Sequence, residues 1–84
     1  MRHARGEALD RLEPVLAQLR AIPGLTEKSR GIFYKKARAF LHFHEDPAGL
    51  FADLRGADGK DFERIDVTEP ENLARLVALA AERA

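Results

Sequence analysis

The chain has 84 residues, no cysteine, and 14 basic against 14 acidic side chains. Disulfides, cysteine-based zinc sites and cysteine nucleophiles are thereby excluded. One domain is expected, small enough to bury only about 60–65% of its unfolded surface. No apolar run approaches membrane-spanning length, so a soluble, cytoplasmic protein with no membrane partner is expected, and the lack of cysteine fits a reducing compartment. The charge is uneven: residues 1–44 carry nine Lys/Arg and four Asp/Glu (+5), and residues 45–84 carry five and ten (−5). Either the domain has a dipolar surface or the two sets pair across the fold.

Met1 to Gly6 is short and basic and is expected to fray. Asp10 and Glu13 stand at capping-box spacing, with Leu9 and Pro14 placed as a hydrophobic staple. Leu9, Leu12, Leu16 and Leu19 then share one helical face. Pro14 requires that this helix start near Glu13 or kink there, and Pro23-Gly24 ends it. Leu25 to Arg30 reads as polar connection. Ile32 to Tyr34 reads as a strand, followed by a tight turn at Lys36-Ala37 that lacks the usual Gly, Asn or Asp. Arg38 to Glu45 is a second strand, and Asp46-Pro47-Ala48-Gly49 carries the residues of a turn. Leu50 to Arg55 is a third strand, Gly56 to Gly59 a second turn. Phe62 to Val67 is a fourth, with apolar positions 62, 65 and 67 suggesting a bulge. Thr68 and Glu71 form a capping box with Pro70 in the first turn, opening a helix to about Arg83. The order predicts an α+β domain, α-β-β-β-β-α: a four-stranded antiparallel meander with two helices on one face.

Residues 38–55 form the centre of this plan, and two registers are open to them. A three-residue loop with Gly49 left-handed is the better match to the turn residues. It groups Phe40, His42 and His44 with Leu50, Ala52 and Leu54 under the helices. Leu41, Phe43 and Phe51 then lie on the open face beside Asp53 and Arg55, a patch suited to a protein partner or a second copy of the chain. A two-residue loop shifts the register by one and pairs His42 with Asp53 and Phe40 with Arg55.

Three kinds of chemistry can be read on this frame. His42 and His44 stand about 7 Å apart on one strand face, a spacing some metal sites use, but a third ligand must come from elsewhere, His3, Asp53 or Glu63. The more ordinary reading is two half-buried sheet residues, so no metal and no cofactor are expected. Lys28, Arg30, Lys35, Lys36 and Arg38 cluster around Phe33 and Tyr34, a basic aromatic hairpin able to contact phosphates and stack bases of a nucleic acid. The ordinary alternative is a solvated lysine turn on an edge. An enzyme is not expected: Ser29 is the single serine and lacks a nucleophile-elbow context, no Gly-rich phosphate loop is present, and a His42–Asp53 base pair lacks a nucleophile.

The words Ile22-Pro23-Gly24-Leu25-Thr26-Glu27, Gly31-Ile32-Phe33 and Arg38-Ala39-Phe40 resemble the opening of small bacterial YjbR/MmcQ-like proteins. The chain departs from that pattern by lacking the longer C-terminal half. The resemblance implies a frataxin-like helix–sheet–helix layout and a loose association with DNA binding, and it carries over no catalytic residue. The reading that results is a small bacterial domain acting as a non-catalytic binding or interaction module through its open sheet face. Nucleic-acid binding through residues 28–38 and metal binding through the His-x-His strand are the alternatives.

Overall fold

The computed structural model describes residues 2–84. Its elements run β1 (Arg2–His3), α1 (Gly6–Arg20), β2 (Leu25–Ser29), β3 (Ile32–Lys35), β4 (Arg38–Asp46), β5 (Gly49–Arg55), β6 (Phe62–Asp66) and α2 (Pro70–Arg83). The fold is α+β, as expected. The sheet is larger than the four-stranded meander read from the sequence: five antiparallel strands in the order β2-β3-β4-β5-β6, with β1 also paired to β4. Leu25–Ser29, read as connection, is a polar edge strand. Its charged and hydroxyl side chains hide the signal because an edge strand has little to bury, and they also discourage further pairing. Arg2–His3, expected to fray, lies opposite Glu45 and His44; Met1 of that stretch falls outside the described residues.

Helix α1 begins a full turn before Asp10. Its N-cap is Arg5, in extended geometry and without a side-chain cap. Asp10 and Glu13 therefore do not form a capping box. They sit on the helix exterior, where Arg30 reaches Asp10 Oδ1 at 2.9 Å and Glu13 Oε1 at 2.8 Å. Pro14 stands inside the helix and denies the Asp10 carbonyl its intrahelical donor. Both residues are exposed, so water can serve that carbonyl. The opposite face buries Ala8, Leu9, Leu12, Val15, Leu16 and Leu19. Fully burying each of its leucines contributes about 1.5–3 kcal/mol.

The β4–β5 register is the two-residue one: His42 faces Asp53, Phe43 faces Ala52, His44 faces Phe51, and Asp46 faces Gly49. The three-residue reading rested on Gly49 as a left-handed loop closer. Gly49 does have φ +146°, but its lack of a side chain serves another contact. A Cβ there would lie 2.2 Å from Thr68 Oγ1. That hydroxyl accepts the Leu50 N–H at 3.1 Å and donates back to the Leu50 carbonyl at 3.4 Å. Thr68 is thus engaged with β5 rather than capping α2, whose N-cap is Glu69 with no side-chain bond. The Asp46 carboxylate closes the turn by accepting the Ala48 N–H at 2.7 Å.

The corrected register inverts the faces. Leu41 and Phe43, expected outside, are 0% and 2% exposed and join Leu50, Ala52 and Leu54 in the core under the two helices. Phe40 is also buried, because a register shift between Phe33 and Tyr34 leaves it without a partner on β3 and lets both Phe40 and Leu41 enter the core. The bulge expected in β6 is absent: residues 62–66 pair regularly with β5. Phe62 simply faces the other way, while Ile65 and Val67 face the core.

Candidate metal centre

The face of the sheet away from the helices gathers all three histidines. His42 and His44 follow from strand alternation on β4. His3 is brought to them by β1, which is held in three ways. Arg2 pairs with Glu45 at 2.9 Å, the Arg5 N–H is donated to Glu45 Oε2 at 2.9 Å, and the Ala4 N–H is donated to the Phe43 carbonyl at 3.0 Å. The Arg5 N–H and then Arg2 hold the Glu45 carboxyl below its usual range. His3 consequently faces His44 across the ladder.

The imidazoles are in direct contact. The His3 ring stacks on His42 at 5.5 Å and meets His44 edge-on at 4.8 Å. His42 Nδ1 and His44 Nε2 are 2.9 Å apart. One candidate ligand atom from each histidine lies within 4.8 Å of the other two. His44 Nε2 also lies 3.1 Å from Asp53 Oδ2. Asp53 in turn accepts two hydrogen bonds from Arg64, Nε to Oδ1 and Nη2 to Oδ2, each 2.8 Å. That fork holds the Asp53 carboxyl below its usual value despite its burial. The side chain is therefore a carboxylate, and His44 Nε2 is the atom that faces it.

Protonation of His42 is disfavoured. Burial, followed by the adjacent His44, pushes the His42 pKa down. A single proton can occupy the line between His42 Nδ1 and His44 Nε2, so the pair presents one shared proton to two nitrogens. His44 Nδ1 is buried and finds no hydrogen-bond partner among the described residues, so the tautomer is set from the Nε2 side alone. A cation in place of the shared proton would meet neutral nitrogens and an ionised oxygen. In a tetrahedral site with bonds of about 2.0–2.1 Å, ligand atoms stand roughly 3.3 Å apart. The His42–His44 and His44–Asp53 spacings of 2.9 and 3.1 Å are within a few tenths of an ångström of that edge. His3, exposed on the two-residue strand β1, places a ligand atom within 4.8 Å of those of His42 and His44.

The other expected site residues disperse. Leu41 and Phe43 are in the core, as above. Phe51 is half-buried beside His44, and Asp53 is only 8% exposed, inside the cluster. The guanidinium of Arg55 lies 4.3 Å over the Phe62 ring, and Phe62 abuts His42 at 4.9 Å. The basic aromatic hairpin separates as well. Phe33 is fully buried and cannot stack a base. Arg30 is engaged by Asp10 and Glu13, and Lys28 lies 4.6 Å over the Tyr34 ring. Lys35, Lys36 and Arg38 line a separate cavity at the far end of the sheet.

In sequence His3 falls in a stretch expected to fray, and no local pattern marks Arg64 or Phe62 as site residues. Arg2-His3 set antiparallel against His44-Glu45 carries the one available signal, an opposite-charge pair beside a histidine pair. No family model, curated protein or solved structure matches the chain. The resemblance to YjbR/MmcQ-like proteins therefore rests on its sequence words alone.

Proposed function

We propose that this protein is a non-catalytic binding module whose open sheet face holds a divalent transition-metal ion through His3, His42 and His44, with the Asp53 carboxylate as fourth ligand. The observation that carries the reading is the convergence of three imidazoles, one from β1 and two from β4, on a space less than 5 Å across. Imidazole nitrogens with one carboxylate suit zinc, copper or nickel rather than calcium or magnesium, which prefer all-oxygen shells. Arg64 serves as the outer partner that orients the carboxylate. A self-association surface on the same face has lost Leu41 and Phe43 to the core and keeps Ile32, Phe51 and Phe62 as large apolar groups.

The test is a zinc titration followed by calorimetry and thermal unfolding. At a hundredfold excess of free metal over Kd, linkage contributes about 2.7 kcal/mol, which raises the midpoint by about 15 °C in a chain of this size. His42→Ala should abolish the shift. An unchanged midpoint with zinc, copper and nickel alike would refute the reading.

A further inference from the structure

The geometry points to a second, separate binding site, for the phosphate group of a small phosphomonoester, in the cavity between the β3–β4 turn and the β5–β6 loop. The cavity has a volume of about 220 Å³ and is lined by Lys35, Lys36, Arg38, Arg55 and Arg83, with Phe40 among its apolar residues. Five cations line it and no carboxylate does. Of the five, only Arg83 has a carboxylate partner among the described residues, Glu63 at 3.0 Å.

Three of the other four, Lys35, Arg38 and Arg55, are held by carbonyl oxygens, which fix them in place without neutralising them, and Lys36 is exposed at the rim. Lys35 donates to the Arg83 carbonyl at 2.9 Å. Arg38 donates to the Gly59 carbonyl at 3.0 Å and so bridges the two loops. Arg55 donates to the Ala39 carbonyl through Nε and Nη2, at 3.1 and 2.6 Å, and to the Lys60 carbonyl through Nη1 at 2.7 Å. Asp58 of the facing loop is turned to its own backbone, its Oδ1 accepting the Lys60 N–H at 3.0 Å. A set of guanidinium and ammonium groups around one space, four of the five without a carboxylate partner among the described residues, suits a dianion.

The turn itself supplies an independent observation. Lys36 and Ala37 both have positive φ, 50° and 67°, and they are the only non-glycine residues that do so among those described. A two-residue hairpin of this kind is relaxed by Asn-Gly, and a lysine in its first position is held at a conformational cost. What the position gains from lysine is charge at the edge of the cavity. The volume selects the ligand's size, because drug-sized molecules and dinucleotides occupy cavities of about 300–1,000 Å³. A phosphate carrying a few carbon atoms fits, with Phe40 and the flanking alanines against its apolar part.

Inorganic phosphate and glycerol phosphate, titrated at constant ionic strength against chloride, test the site through backbone amide shifts of the intact protein. The expected result is saturable binding with shifts confined to residues 35–40, 55–60 and 83. The double variant Lys36→Asn/Arg38→Gln should weaken binding about tenfold, and Lys36→Asn alone, which keeps the Arg38–Gly59 bridge, should weaken it severalfold with no loss of thermal midpoint, because asparagine is at ease in the left-handed geometry at position 36. Three results would overturn the proposal: chloride reproducing the shifts, the double variant binding phosphate as well as the parent does, or a single-stranded oligonucleotide binding through these residues when the monoesters do not.

Discussion

The two faces of the sheet are built from the same strands and do opposite things. On the helix side, β4 and β5 contribute Leu41, Phe43, Leu50, Ala52 and Leu54, all buried and none carrying a polar group to satisfy. On the other side the alternate residues of the same strands are His42, His44, Phe51 and Asp53, polar or aromatic groups that satisfy one another across the ladder. The first face holds the fold together by removing apolar area from water. The second is a chain of hydrogen-bonding and charged groups with a buried nitrogen left over, a poor way to add stability.

Substitutions should separate the two faces sharply. Phe43→Ala on the core face should lower stability by about 3–5 kcal/mol, read as a fall in the urea midpoint with or without zinc. Phe62→Ala on the other face removes a side chain still 38% exposed and should cost under about 1 kcal/mol. Equal losses from the two would break the comparison.

The turn that fixes which residues face which way can be probed at Gly49. Gly49→Ala should cost about 1–3 kcal/mol, since the new methyl group meets Thr68. In a Thr68→Ala background the added cost should shrink, a non-additivity that chemical denaturation of the double-mutant cycle would measure. Full additivity would mean that Thr68 does not occupy the space beside the turn.

At the opposite hairpin, Ala37→Gly should stabilise by about 1 kcal/mol through relief of its left-handed backbone, visible as a higher urea midpoint. A loss of stability would show that the turn is not of this type.

The smallest effect expected is an acid-side one, remote from either face. The Arg20 and Arg30 guanidiniums beside Glu13 lower its carboxyl from 4.5 to about 2. A depressed folded-state pKa gives stability that is fully present above about pH 4.5 and is lost as the pH falls towards 2. The difference between wild type and Glu13→Gln in urea midpoints should therefore be constant from pH 7 to 5 and change only below that. A difference that varied near neutrality would assign the contact a different role.

The α+β class, α2 and the central strands were legible because each carries many residues in one period. Leu9, Leu12, Leu16 and Leu19 mark α1 unambiguously, although its start was misplaced when Asp10 and Glu13, at cap spacing, turned out to be partners for Arg30. The face assignment was not legible, since it turned on one loop residue. Gly49 supports either register in isolation, and what decides is its close approach to Thr68, nineteen residues away in sequence. The histidine cluster was half legible. His42-x-His44 shows itself, whereas His3 and Asp53 enter only through pairings of β1 and β5 with β4 that no local pattern encodes.

Histidine-resolved NMR during a zinc titration tests the central claim most directly. The ring signals of His3, His42 and His44 should shift together and saturate at one zinc per chain, and Asp53→Asn should weaken the binding without unfolding the protein. Rings that titrate independently with pH and ignore one equivalent of zinc would contradict it.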